Sequence, residues 1–483
     1  MTIGLREFQN STTGENGFGA GTESQIAELS KALEAGYQVG AGKTGGSALR
    51  VESLESSLKV VTYTSSHIKL WKRMPKSPAF STVEEYNQLS SYGGEQSPFL
   101  QEAETPQASD SSYARRNALV KFLGTTREIS HQASLVHPAH GDLIAQENHN
   151  GILWLLQQVE RSLFTGDSSL AFDGEAEQWD GLDSLIDAAS VLDLEGNPLQ
   201  EADIEEATNT VIENYGFPTD MYLGTRTMSD LVKTFYPRER VQLPAPSQGQ
   251  VGQAINTMAT QAGVIQFNPD VFIRRTPAAP SAATSVNAPA TPASIAASAA
   301  TGTDGDHEKG APNGSSSFAY LVTAANRFGE SAPTGFGSIV TLSQANKEAG
   351  VHVPLTITNP GTIGAFPPEY FRIYRSVASV DTSVPQSVSD YALIAQVPAS
   401  SQAASGTTSF NDVNLTLPFT STAYIGELAP SVLTFRQLMP MMKMDLAVLG
   451  PAYRWMILLY GTPVMFAPKK WIRLINIGQL ETR

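Results

Sequence analysis

The sequence predicts an α+β body interrupted by an inserted all-β sandwich, and three observations predict it. A long amphipathic helical pattern occupies 142–164. From Thr276 to Thr303 the chain is dominated by Ala, Pro, Ser and Thr, which marks a linker into a new module. Short alternating strands then run to about 425, after which 431–483 returns to the earlier mixed character. At 483 residues the chain exceeds what one hydrophobic core organises, so it divides into domains.

The elements follow in order. Residues 1–20, rich in Gly, Asn and Thr, read as an irregular arm. Thr22 and Gln25 form a capping-box pattern ahead of a helix whose face is Ile26, Leu29 and Leu33 and whose stop is Gly36. Gly40 to Gly46 form a flexible joint. The next segment, LRVESLESSLKVVTYT, is helical first and strand-like where Val60, Val61, Tyr63 and Thr64 cluster. Residues 65–130 read as two strand regions joined by a polar, turn-rich excursion that bends at Gly93-Gly94. Such a hairpin lacks a core and is marginal alone in water, so it needs a covering partner. In the long helix Asp142 caps the start, Ile152, Leu155, Leu156, Val159 and Leu163 make the buried stripe, and Thr165-Gly166-Asp167 ends it. A helix over 201–215, a strand at MYLG (221–224) and a helix at TMSDLVKTFY complete this half. Beyond the linker, SSFAYLVTAANR, GSIVTLS, YFRIYRSV and YALIAQV read as strands. The stretch AYLVTAANRFGESAP resembles the strand-and-loop pattern of immunoglobulin and fibronectin repeats, although FRIYR follows it rather than precedes it.

Composition excludes several functions. The net charge is −15, with 47 acidic and 32 basic residues, and no Lys/Arg cluster suited to gripping phosphates is present. Charged residues are only 16%, which suits a surface covered by other copies of the chain and an ordinary polar surface rich in Ser, Thr and Gln equally well. There is no cysteine, hence no disulfide framework and no thiolate metal site. MTIGLREFQN has no apolar leader core, and MILLYGTPVMF is too short and interrupted to span a bilayer, so the expectation is a soluble product of a cytoplasm.

The chemical motifs fail on spacing. VGAGKTGG (39–46) places Gly42, Lys43 and Thr44 as a phosphate-binding loop would, but Tyr37 stands where the first glycine belongs and a helix precedes the loop instead of a strand. His131, His137, His140 and His149 cluster in sequence without metal-ligand spacing. TDGDHE (303–308) opens like a calcium loop but lacks its glycine and closing glutamate, so a β-hairpin turn is expected there. Asp183, Asp187 and Asp193 lack partners that would place a substrate, and no G-x-S-x-G is present. The chain is therefore expected to be no enzyme and to hold no cofactor or metal.

Several segments together resemble the major capsid proteins of large contractile-tailed phages, the Twort-like and SPO-like group. They are residues 48–94, then Ser162-Leu163-Phe164-Thr165-Gly166-Asp167, Trp179-Asp180-Gly181-Leu182 and PTDMYLGTRTMSDLVKTF (218–235). Gly426-Glu427, Leu438-Met439-Pro440-Met441-Met442 and Ala467-Pro468-Lys469-Lys470-Trp471 make the strongest block. The order and spacing of these segments carry the resemblance; no single motif does.

The resemblance implies a Hong Kong 97-type fold with an immunoglobulin-like insertion. Its parts would be an N-terminal arm (1–64), an extended hairpin loop (65–130), a peripheral domain with the spine helix (131–200) and an axial domain (201–275). The linker and insertion would occupy 276–430, and 431–483 would return to the axial and peripheral domains. It implies self-assembly into hexamers and pentamers of an icosahedral head around double-stranded DNA, without sequence-specific DNA binding and without a membrane. Scaffold, portal and decoration proteins would be the partners, with assembly in the host cytoplasm and residence in the virion. Tyr92, Gly93, Gly94 and Phe99 at the hairpin end are the candidate subunit contacts, because aromatics dominate interface energies. The lineage's covalent cross-link uses a hairpin lysine, and none lies here between Lys76 and Lys121, so no cross-links are expected. An acidic inner surface that repels packaged DNA is also expected. The rival readings are a head-decoration or adhesion protein whose sandwich binds host-surface ligands, and an enzyme with an unrecognised pocket.

Overall fold

A computed structural model describes residues 62–93, 99–102, 105, 108–135, 142–172, 178–235, 255–273, 276–298, 301–448 and 450–480. The chain divides into two compact units, Met1–Val60 with Val136–Leu143, and Val61–Leu135 with Ile144–Arg483. Apart from the first residue of the long helix, the elements below belong to the second. The helix expected from Thr22 to Gly36, the joint at Gly40–Gly46, Gly94, His137 and His140 lie outside the described residues. Tyr63 and Thr64, expected in a strand, are irregular instead. The Thr64 backbone N–H donates to Nδ1 of His67 at 3.0 Å, which closes a 3-10 turn over Ser65–His67 in place of strand pairing.

A six-stranded mixed sheet organises the body. Its order is β5 (Val191–Asp193), β20 (Trp471–Ile477), β17 (Ser421–Gly426), β6 (Asp220–Gly224), β8 (Gly263–Asp270) and β7 (Thr257–Thr260). Period-2 alternation sends Met221, Leu223, Ala423, Ile425, Ile472 and Leu474 to one face. There they share a core with Ile204, Ala207 and Val211 of a helix over Glu201–Glu213 and Leu231 of a helix over Thr225–Phe235. The other face is aromatic. Phe164, at the end of the long helix, lies 5.4 Å from the Tyr424 ring and 6.1 Å from that of Tyr222, and Tyr222 lies 6.4 Å from Trp471.

The long helix runs from Leu143 to Thr165, 23 residues or about 34 Å. Leu155, Val159 and Leu163 are buried as the stripe predicted, while Ile152 and Leu156 are half-buried. Gly151 is also buried, because a Cβ there would collide with Ile457 and crowd Arg127. At the C-terminal end Gly181 donates its N–H to the Gly166 carbonyl at 2.8 Å, and Asp180 Oδ1 accepts the Ser168 N–H at 2.8 Å. A side chain on either glycine would strike backbone. The Thr-Gly-Asp and Trp-Asp-Gly segments thus form one joint, seen twice in sequence.

Residues 65–130 hold four strands where two strand regions were expected. β1 (Lys76–Pro78) and β4 (Lys121–Ser130) belong to a body sheet ordered β1, β18 (Leu433–Asp445), β19 (Ala452–Met465), β4. Only β2 (Val83–Ser91) and β3 (Ser112–Leu119) form the separate two-stranded hairpin. The roots of the segment are well cored, with Ile68, Leu70, Trp71, Met74, Val120 and Ile129 buried. In β18 the register slips on both sides of Met439, next to Pro440, which has no N–H to give a ladder.

The insertion is a two-sheet β domain. One sheet is β16 (Thr407–Asp412), β13 (Val353–Thr358) and β9 (Ser294–Ala297). The other is β11 (Gly329–Glu330), β10 (Ser316–Asn326), β14 (Tyr370–Ser376) and β15 (Tyr391–Pro398), with β12 (Ser338–Leu342) also on β10. Ile295, Leu355 and Ile357 meet Phe318, Tyr320, Val322, Phe371 and Ile373 between them. The stretch read as a linker is part of this domain: β9 lies inside it, and Ala279 packs against Tyr374 and Tyr391. β13 supplies the hydrogen bonds, so Ile295 and small neighbours suffice despite the linker-like composition. TDGDHE forms no hairpin turn. Gly305 N–H bonds the Gly350 carbonyl at 2.7 Å, and His307 is buried with Nε2 3.0 Å from the Asp412 carbonyl.

Candidate assembly surface

The hairpin presents two unlike faces. Alternation along β2 sends Glu84, Tyr86 and Gln88 toward the body, where the Tyr86 ring meets Phe466 edge-on at 5.1 Å. Gln88 Nε2 donates to the Phe466 carbonyl at 2.7 Å, and Arg436 lies 3.9 Å from Glu84. On the opposite face the cross-strand pairs are Val83 with Leu119, Glu85 with Asn117, Asn87 with Arg115 and Leu89 with Tyr113, and all eight side chains are exposed. Arg115 also reaches Glu85 at 3.3 Å, an exposed pair worth little by itself.

Toward the end of the hairpin the apolar exposure is concentrated. Tyr92 is 89% exposed, Phe99 87% and Tyr113 72%, beside partly exposed Leu89 and Leu100. Gly93 takes φ +135°, where a side chain would be strained, and it sits close to Ser109. Of the four candidate contacts, Tyr92, Gly93 and Phe99 are thus placed at the exposed end, and Gly94 falls outside the described residues. Burying one large aromatic or aliphatic side chain is worth about 1.5–3 kcal/mol, so this end carries substantial unspent interaction energy.

The root of the hairpin is firmly anchored. Glu160 on the long helix is fully buried, and its carboxylate accepts the N–H groups of Lys69, Leu70 and Trp71 at 2.8, 2.6 and 2.9 Å. These are the first donors of a short helix over Leu70–Arg73, which otherwise would have none. Trp71 packs edge-on against Phe435 at 4.8 Å, Phe435 meets Trp179 at 5.4 Å, and Arg73 pairs with Asp220. Sequence reasoning missed Glu160. The signal was a carboxylate one residue after Val159 and four before Phe164, on the helix face otherwise given to the core.

Of the motifs tested for chemistry, the described acids hold structural positions. Asp183 accepts from the Tyr424 hydroxyl at 2.8 Å and pairs with Arg473 at 3.1 Å. Asp187 closes a local turn with Ala189 N–H at 2.9 Å. Asp193 pairs with Lys309 at 2.8 Å and accepts from Asn476 at 2.9 Å. The three acids therefore face different partners. The His131 ring lies 5.7 Å from that of Tyr453, and Asp304 pairs with His352. Among the described residues no group of three or more His, Asp or Glu is placed to hold a metal ion, and no helix is long and apolar enough to cross a membrane.

A body built on a long helix and a mixed sheet, with a hairpin whose end exposes apolar side chains, defines a protein of structural association. The model of the SU10 major capsid protein family matches residues 42–290, just over half of the chain, and the chain belongs to that family. It is a major capsid protein of a tailed phage, a structural component of the virion. The major capsid protein of Staphylococcus phage K is 28% identical over 475 residues, spanning 93% of this chain and 95% of the relative. That of Staphylococcus phage S25-3 is 27% identical over the same length. The resemblance read from the residues is thereby borne out. Among solved structures, the capsid of an empty GTA particle covers 92% of this chain and 100% of its own, at 8% identity and TM-score 0.45. One titled Gordonia phage Cozz covers 90% and 96%, at 10% identity and TM-score 0.44.

Proposed function

We propose that copies of this chain assemble through heterologous contacts into hexamers and pentamers of an icosahedral head that encloses double-stranded DNA. One observation carries this reading: the cluster of exposed apolar side chains at the end of a hairpin whose root is firmly buried. A rigid root and a sticky end suit a segment that reaches onto a neighbouring copy. Heterologous contact of this kind closes rings, and many weak contacts per subunit act together.

In this reading 1–64 is the arm, 65–130 the extended hairpin region, 131–200 the peripheral domain with its spine helix, and 201–275 the axial domain. The β domain within 276–430, read as immunoglobulin-like, is an accessory module, and 431–483 completes the axial and peripheral parts. Scaffold, portal and decoration proteins are the further partners, and assembly takes place in the host cytoplasm. DNA is contained rather than gripped, in keeping with the net charge of −15. The chain performs no catalysis.

The test is a Tyr92→Ser, Phe99→Ser double variant, expressed with a scaffold protein and imaged by negative-stain microscopy. Both side chains are exposed, so circular dichroism should match the parent while closed shells disappear. Shells formed at parental yield would remove the hairpin end from the assembly surface. Parental protein that forms only monomers or trimers with scaffold present would remove the shell-building reading itself.

A further inference from the structure

Glu160 and Asp270 are two fully buried acids that meet where the hairpin root, the long helix and the central sheet come together. Glu160 is complete as a carboxylate, with three backbone N–H donors from Lys69, Leu70 and Trp71. Asp270, the last residue of β8, is only half complete. Its Oδ1 accepts the Phe272 N–H at 2.7 Å, but its enclosed Oδ2 has no donor among the described residues. An ionised carboxylate in that position would add a second negative charge to an enclosed space and leave an oxygen bare. A carboxylic acid there supplies the missing donor, because its own O–H can be given to Glu160.

The surrounding charges do not remove the problem. From the segment before the hairpin, Arg73 is committed to Asp220, Lys76 donates to the Trp71 carbonyl at 2.7 Å, and Lys69 acts on Asp270 only through its field. From β6, Asp220 adds a further anion, held by Arg73 and by Asn268 Nδ2 at 3.0 Å. Also on β6 is Tyr222, whose buried hydroxyl has no partner among the described residues. Burial, then the hydrogen bond and charge of Glu160, raise the pKa of Asp270 to about 8, against the smaller pull of the Phe272 N–H and Lys69.

We propose that Glu160 and Asp270 form a built-in proton-binding site. One proton, carried on Asp270 and accepted by Glu160, fastens the hairpin root and the long helix to the central sheet. Its release in mild alkali loosens that junction. The linkage has a definite sign. The folded state holds this proton to a higher pH than the unfolded chain, in which the carboxyl ionises near its ordinary value of about 3.9. The contribution is whole below that value and declines as pH rises through the folded pKa, by up to tenfold in the unfolding equilibrium per pH unit, about one proton's worth.

Asp270→Asn tests it, since the amide keeps a donor for Glu160 and an acceptor for the Phe272 N–H while removing the titration. Heat-unfolding midpoints of the full-length parent and variant are compared between about pH 5 and pH 9, the window that brackets the proton's release. The parent should lose stability with rising pH more steeply than the variant, by that one proton. Infrared spectra of the parent at neutral pH should contain the carbonyl band of an un-ionised carboxylic acid, which alkali and Asp270→Asn both abolish. Equal slopes in parent and variant, or no such band at neutral pH, would overturn the proposal, including the case where Asp270→Asn lowers stability equally at every pH. If the variant fails to fold, the band decides when read in Asp183→Asn, which removes the other described acid whose pKa burial raises: the band should persist there at neutral pH and be lost in alkali, and its absence would overturn the proposal. None of these outcomes bears on whether the hairpin end builds shells.

Discussion

Single side chains hold the two halves of the molecule by opposite electrostatic strategies. In the insertion Arg375 and Asp412 form a fully buried pair, at 2.6 Å, with the Tyr320 hydroxyl donating to the same carboxylate at 2.9 Å. Burial opposes ionisation of Asp412, yet the Arg375 guanidinium holds its pKa below the ordinary range. That contribution is therefore whole at neutral pH and is lost as acid takes the pH down through the depressed value. Removing one member strands the other charge. Asp412→Ala should cost about 3–5 kcal/mol, read as a lowered urea midpoint of the β domain, whereas replacing both partners with apolar residues should cost much less. In the body the proton site at Glu160 and Asp270 has the reverse dependence and favours the acidic side. Glu160→Ala should strand the buried N–H groups of Leu70 and Trp71 at about 1–3 kcal/mol each, and the half-buried one of Lys69 at less, measured by the same urea titration.

At the scale of elements, close approach decides what periodicity leaves open. Gly426 lies in β17 where a Cβ would strike the Trp471 ring, and Trp471 is itself fully buried. Trp471 Nε1 donates to the Glu427 carbonyl at 3.1 Å, and the Glu427 side chain accepts from Lys470 at 3.3 Å. The Gly426-Glu427 and Lys470-Trp471 motifs are thus one cross-strand contact. Gly426→Ala should destabilise by about 1–3 kcal/mol, seen as a drop in thermal midpoint, although a strand ordinarily prefers alanine to glycine. The long helix, the helices after 200 and 224, and strands β6, β10, β12, β14 and β15 were legible because each carries an apolar period or an apolar run. β1 and β4 were not separable from the hairpin, since their partners β18 and β19 lie more than three hundred residues away. β9 was hidden by its Ala-rich composition and is held by β13.

For the whole molecule the division of labour is between a cored body and an uncored hairpin end. The hairpin between Lys76 and Lys121 carries no lysine, so particles boiled in detergent should run as monomers on denaturing gels. A ladder of multimers would reveal a cross-link made elsewhere. Because the chain carries a net charge of −15, added salt should ease the approach of like-charged copies and speed assembly, provided the contacts are mainly apolar. Light scattering across a salt series measures this, and slower assembly in salt would point to ion pairs across the subunit contact.

What the sequence determined by itself was local and ordinal: which of the strongly patterned segments are helices or strands, that a β module interrupts a mixed body, and that the motif order is that of phage capsid proteins. It also marked the hairpin end, because aromatics in a polar, glycine-bent segment have no nearby core to enter. Only the tertiary structure decided where that end stops and the body begins, and what Glu160 does. Both depend on residues distant in sequence. β4 needs β19 beside it, and the Glu160 carboxylate needs the N–H groups of Lys69, Leu70 and Trp71 some ninety residues earlier. Pairing and burial of that kind leave no period in the chain, so they become visible only when the chain is folded.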